Sequence, residues 1–355
     1  MLDLTWKRWK KITQTFILPK WEHIQRISVH MDTTDHLSVV RFAQQARNVD
    51  SILRQCKNLT SLALYYRHSD VQMVAVKDTL LSLLRDGRLS TLGIYSYRRL
   101  QDPDDRIEIH VQSLVQLLDA LACDEHAQRS LRVLDLFTDT IPAYTFDLIR
   151  RHLRSLTSLV LRGVLCPPSF ISQIWDVDQR PRWYPCPNLT RLRLCHFEPG
   201  HAAHIPSLVG HFKALEELTI SACGNDNDFL QVLRPRGWSR RPEALCNTHR
   251  PLAVFHIEHM DDWEIYELGV IPTVMLIVTT VKKYHFLNAM LQDVEIFPRL
   301  QVLRLAPPNS WGTPTEGATE EGEQPLIGIC QARNVELRRD ALANWSCGCA
   351  SEEGY

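Results

Sequence analysis

NLTSLALYY, residues 58–66, places leucines at 59, 62 and 64. The last two, two residues apart, share one side of an extended strand, and the first enters the core where the chain turns into that strand. A pattern this short cannot fill a helix face. The phrase recurs as RLSTLGIYS (88–96), SLRVLDLFT (130–138), SLTSLVLRG (155–163), NLTRLRLCH (188–196) and ALEELTISA (214–222). Leu252-Phe255-Ile257 and Leu300-Leu303-Leu305 fit as well, with Ile24-Ile27-Val29 and Ile271-Val274-Leu276 as weaker members. Successive starts lie 19 to 42 residues apart, a spacing that suits stacked supersecondary units.

Between these strands the apolar spacing turns helical. Phe42–Cys56, Val111–Cys123, Tyr144–Leu153 and Tyr284–Val294 carry apolar residues three and four apart, which predicts helices with one buried face. Strand, turn and helix in alternation, each turn hiding its apolar edge on the next, predicts an α/β leucine-rich-repeat solenoid. In it a curved parallel sheet forms the concave face and helices form the convex face.

The domain boundaries follow. Residues 1–23 are expected to be a separate N-terminal segment, a cap on the first repeat, and 24–340 the solenoid. Residues 307–324, PPNSWGTPTEGATEEGEQ, have little to bury and are expected to form a flexible insertion. PLIGICQARN and VELRRD after it predict a last helix and a closing strand, and 341–355 a disordered tail.

Composition narrows the function. The 355 residues are 45% hydrophobic and 23% charged, ordinary for a chain that buries a core. Lys plus Arg (40) balances Asp plus Glu (41), so no global field argues for nucleic acid or an anionic membrane as partner. The ten cysteines are scattered, which points to reduced thiols and a cytoplasmic or nuclear protein, expected to be a monomer. The N-terminus lacks a signal-peptide apolar run, and 269–281 is too short to span a bilayer and reads as buried strand.

Motifs for chemistry are missing. No phosphate-binding loop, dinucleotide fingerprint, nucleophile elbow or H-E-x-x-H is present. Cys246 with His249, His256 with His259, and His201 with His204 have three-residue spacings; His256 and His259 lie on or just past an expected strand, where residues three apart face opposite sides and do not converge on one metal, and the others read as loop residues. Adjacent acid pairs such as Asp104-Asp105 and Glu216-Glu217 suit solvated rims. The expectation is a non-enzyme with neither cofactor nor metal.

The repeats resemble the leucine-rich-repeat region of fungal F-box proteins. QCKNLTSLAL, SLRVLDL, PCPNLTRLRL and the closing CQARNVELRRD carry the likeness, which covers about 21–340. RWKKITQTFILPKWEHIQRISV, with Trp9, Ile12, Pro19, Trp21 and Ile24, resembles the last F-box helix running into a first repeat, with an altered spacer. Only eight residues precede Trp9, so the earlier L-P-x-E helices are missing. The resemblance implies a substrate-recognition subunit of a ubiquitin ligase. It further implies a Skp-type adaptor as partner only if an F-box lies upstream.

A binding face can be placed. With the leucines turned in, the third, fifth and seventh positions of L-x-x-L-x-L-x point out of the sheet. The seventh positions of four consecutive phrases are Tyr65, Tyr95, Phe137 and Arg162. Strands about 4.8 Å apart would stack them as a ladder. Arg191 and Arg193 share the outer face of the next strand, with Glu217 placed to offset Arg191. A protein partner is expected on this concave face at these six residues, since tyrosine and arginine are enriched in interface hot spots.

Overall fold

A computed structural model of the chain describes residues 2–5, 23–31, 39–67, 70–97, 129–137, 155–162, 187–195, 209, 212–221, 251–258, 269, 271–278, 284–305 and 320–339. The chain divides into two compact units, Met1–Leu189 and Thr190–Tyr355.

In the first unit the strands are β1 (Leu2–Thr5), β2 (Arg26–Met31), β3 (Ser61–Arg67), β4 (Thr91–Tyr97), β5 (Val133–Phe137) and β6 (Ser158–Arg162). Each pairs in parallel with the next in sequence. The register sets Ile27, Leu62, Leu92, Leu134 and Leu159 side by side. Val29, Leu64, Ile94, Leu136 and Leu161 form a second such row. All ten are buried, as are Leu59, Leu89, Leu131 and Leu156 at the strand entries. Helices α1 (Val39–Gln55) and α2 (Asp70–Arg85) pack on each other and add Ile52, Leu53, Leu80, Leu83 and Leu84 to the core. Asp50 of α1 accepts hydrogen bonds from Thr79 of α2 and from Arg54.

One device links successive turns. The Gln25 carbonyl accepts the N–H groups of Thr60 and Ser61, the Thr60 carbonyl those of Ser90 and Thr91, and the Ser90 carbonyl those of Arg132 and Val133. Hydroxyls add to it, Thr60 donating to Gln25 at 3.1 Å and Ser90 to Thr60 at 3.2 Å. This satisfies backbone groups that would otherwise be buried unpaired as the chain enters each strand.

The second unit holds β7 (Arg191–Cys195), β8 (Glu217–Ser221), β9 (Leu252–Glu258), β10 (Thr273–Val278), β11 (Val302–Leu305) and β12 (Glu336–Arg339), again parallel and in chain order. Helices α3 (Tyr284–Gln292) and α4 (Glu320–Ala332) pack on each other. Asn334, at φ 55°, closes α4, and its neighbour Arg333 donates to the carbonyls of Leu291, Ile296 and Phe297 at 2.9–3.0 Å. That guanidinium ties the last helix to the turn before β11.

Four expectations change. The weak member Ile271-Val274-Leu276 is displaced by two residues: Leu276 pairs with Phe255 and Leu303, and Val278 with Ile257 and Leu305. A continuous apolar run offers no alternation from which to read the register. Residues 320–324 of the expected flexible insertion form the start of α4; acidic residues are favoured in a helix's first turn, where the backbone N–H groups point outward. Pro325 falls just past that turn. Leu2–Thr5, expected within a cap or helical F-box remnant, is strand β1, pairing with Ile27–His30. α2 was not expected at all.

The expected helices at 111–123 and 144–153 lie outside the described residues. So do Trp9, Ile12, Pro19 and Trp21, residues 307–319 and the tail 341–355.

Candidate partner-binding face

The face opposite the leucines in the first unit is where the sequence placed its ladder. β3 to β6 set Tyr65, Tyr95, Phe137 and Arg162 in direct register, and β2 extends the row with His30. Tyr65 and Tyr95 are half-buried. Their rings stack with centroids 4.4 Å apart and planes 9° from parallel, at the short end of the spacing of stacked aromatic pairs.

Two residues that sequence reasoning passed over build this pair. The Tyr95 hydroxyl donates to Asp135 Oδ2 on β5 at 2.8 Å. Asp135 stands directly across from Gly93, so the Tyr95 ring must run back along its own strand to reach it. Gly93 makes that possible. A Cβ at this position would lie 2.7 Å from Tyr95 Cε2 and 2.9 Å from its hydroxyl oxygen. The tyrosine thus lies over the bare backbone of residue 93. Both signals were in the sequence: a glycine between Leu92 and Ile94 marks close approach within a strand, and an aspartate at an outward position marks a charge facing away from the core.

The floor is small and mostly neutral. The fifth-position row reads Ser28, Ala63, Gly93, Asp135 and Val160. At the third and fifth positions of β3 to β6, Asp135 is the one formal charge.

Arg191 and Arg193 belong to the second unit. Arg191 faces Glu217 across β7 and β8, as the spacing suggested, and both are exposed. Arg193 is half-buried, in a row that runs through Thr219, His256, Ile277 and Arg304. His256 and Ile277 are each only 1% exposed although they face away from the leucines, so here the outward face is closed over.

No group of three metal-ligating side chains gathers among the described residues, and His259, Cys246, His249, His201 and His204 lie outside them. Cys56 and Cys330 are free buried thiols. Burial pushes the Cys56 thiol up to about 11, away from the thiolate that nucleophilic chemistry needs. No described helix is long and apolar enough to cross a membrane.

No family model matches the chain, and no curated protein matches its sequence.

Proposed function

We propose that the chain is a leucine-rich-repeat solenoid acting as a non-catalytic scaffold, which holds a protein partner on the outward strand face of its first unit. The observation that carries this reading is the registered row from Tyr65 to Arg162, with two tyrosines already stacked and one of them, Tyr95, tethered to Asp135. Ordered aromatics lose little rotamer freedom on binding, so they favour association more than mobile side chains do. The F-box resemblance makes that partner a ubiquitin-ligase substrate, in the cytoplasm or nucleus.

The test is capture of partners by the tagged full-length chain, comparing wild type with Tyr65→Ser. Loss of about 1–2 kcal/mol of binding, with the unfolding midpoint kept within a few degrees, is expected of a hot-spot residue. Unaltered capture by a folded Tyr65→Ser protein contradicts the reading.

A second reading, a free-standing leucine-rich-repeat protein with no link to ubiquitin, is favoured by β1. Residues 2–5 form a strand on β2 where an F-box remnant would supply helix. The two readings part on a Skp-type adaptor: the free-standing protein does not co-purify with one at micromolar concentration, whereas a working F-box protein does.

A further inference from the structure

We propose that the turn at residues 293–300 is a loaded latch: Phe297 is held in a backbone conformation it resists, and undocking the last helix, α4, releases it. The device lies wholly in the second unit and stands apart from the binding reading of the first.

The described residues at positive φ are Gly87 at 68°, Asn334 at 55° and Phe297 at 48°. Glycine has no Cβ to clash there, and asparagine tolerates the conformation, so the first two suit their places. Both also lie just past a helix, α2 and α4, where a left-handed residue commonly ends the last turn. Phe297 has neither the residue type nor the place. A bulky side chain at positive φ is crowded by its own backbone. The next residue is Pro298, whose ring drives its predecessor towards extended backbone. Left to itself, this dipeptide would straighten.

Contacts from distant residues prevent that. The Phe297 N–H donates to the Gly269 carbonyl at 2.6 Å. Its ring is buried and packs edge-on against Phe255 of β9, with centroids 6.4 Å apart. Its carbonyl accepts from Arg333 at 3.0 Å, and the same guanidinium holds the carbonyls of Ile296 at 2.9 Å and Leu291 at 3.0 Å. A strained residue persists only where its surroundings over-determine it. Gly269 and Phe255 precede the turn in the chain, and Arg333 follows it at the end of α4. One side of the grip is therefore a single side chain from the closing helix, and losing it lets the Phe-Pro step extend. That movement would carry Ile296 and Phe297, both buried, out of the core. Val294, 68% exposed, sits at the same turn, so the released turn presents three large apolar side chains together.

The experiment uses the full chain. Phe297→Gly should unfold at a higher denaturant concentration than Phe297→Ala, the reverse of the order in ordinary ordered backbone, because only glycine is at ease at this φ. Native-state hydrogen exchange then reads the latch. In Arg333→Met the Phe297 amide, which reports the bond to Gly269, should exchange on the order of tenfold faster or more. The amides of α4 should quicken with it, while those of α1 and α2 keep their wild-type rates. Fluorescence of 1-anilinonaphthalene-8-sulfonate, which reports exposed apolar surface, should rise in the same variant. If Arg333→Met fails to fold, Arg333→Lys must show the same changes, since it keeps the charge and lacks the planar fork that reaches several carbonyls. A Phe297→Ala protein at least as stable as Phe297→Gly shows an unstrained turn and overturns the proposal. So does wild-type exchange at the Phe297 amide, or wild-type dye fluorescence, in a folded Arg333 variant.

Discussion

β3–β4 and β9–β10 each set two buried apolar rows in register and differ in what lies on their outer side. In the first pair the leucine side is sealed, and the other side carries small residues under two half-buried tyrosines. In the second pair three successive residues are buried in each strand: Phe255, His256 and Ile257, then Leu276, Ile277 and Val278. A strand covered on both faces needs no alternation, whereas one with a single buried face depends on it. The leucine pattern therefore specifies where the core is, and the residues between the leucines decide whether the other face remains open to a partner.

The sharpest break of this contrast is a pair of outward substitutions. Ile277→Ser should destabilise the second unit like a core change, by about 2–4 kcal/mol, because it removes buried apolar surface and leaves a hydroxyl inside. Ala63→Ser, in the matching row of the first unit, should cost within about 0.5 kcal/mol, as half-open surface positions do. Chemical denaturation of both variants measures the difference. Equal costs would mean that the two faces are covered alike.

The same contrast explains what could be read in advance. Strand positions were legible wherever polar residues interrupt the leucines, as in SLRVLDLFT, because alternation sets both the face and the register. The Tyr65–Tyr95–Phe137–Arg162 ladder came out in register for that reason. In PTVMLIV, residues 272–278, apolar residues follow one another and any phase fits, so the triplet was placed two residues early. α2 escaped notice because DVQMVAVKDTLLSLLR is apolar on more than one side and shows no clean stripe. The Asp135 tether was illegible because it joins residues 40 apart in sequence, and only pairing β4 with β5 brings them together.

Next in size is the closure of the second unit. Arg333→Met keeps the aliphatic stem but strands the carbonyls of Leu291, Ile296 and Phe297. A loss of about 2 kcal/mol is expected from hydrogen bonds to a charged donor. Hydrogen exchange should localise the loosening to α3, α4 and β12, and leave α1 and α2 as they were.

In the first unit, Cys56 supplies a pH effect of known sign. Its thiol is raised from 9.0 to about 11 by burial, so the folded protein holds the proton where the unfolded chain has released it. The stability from burying the neutral thiol is fully present below pH 9 and is lost as pH rises through about 11. Cys56→Ala should flatten the fall in unfolding midpoint between those values. An identical pH profile in wild type and variant would remove the thiol as its cause.

The smallest effect tests the open face itself. Tyr95→Phe deletes the hydroxyl that reaches Asp135 and should cost about 1 kcal/mol, the usual net worth of one hydrogen bond. Gly93→Ala puts a methyl 2.7 Å from Tyr95 Cε2, closer than carbon atoms approach, so the ring must swing away and the same bond breaks. If Gly93 acts only by letting that ring lie down, the two costs share one cause. The double variant Gly93→Ala with Tyr95→Phe should then be less destabilised than the sum of the singles, since residues in contact couple by about 0.5 kcal/mol or more. A strictly additive double variant would show that the glycine serves the strand backbone rather than the tyrosine. The platform would then owe its order to the stack with Tyr65, and the first unit's open face would be built by its aromatic row alone.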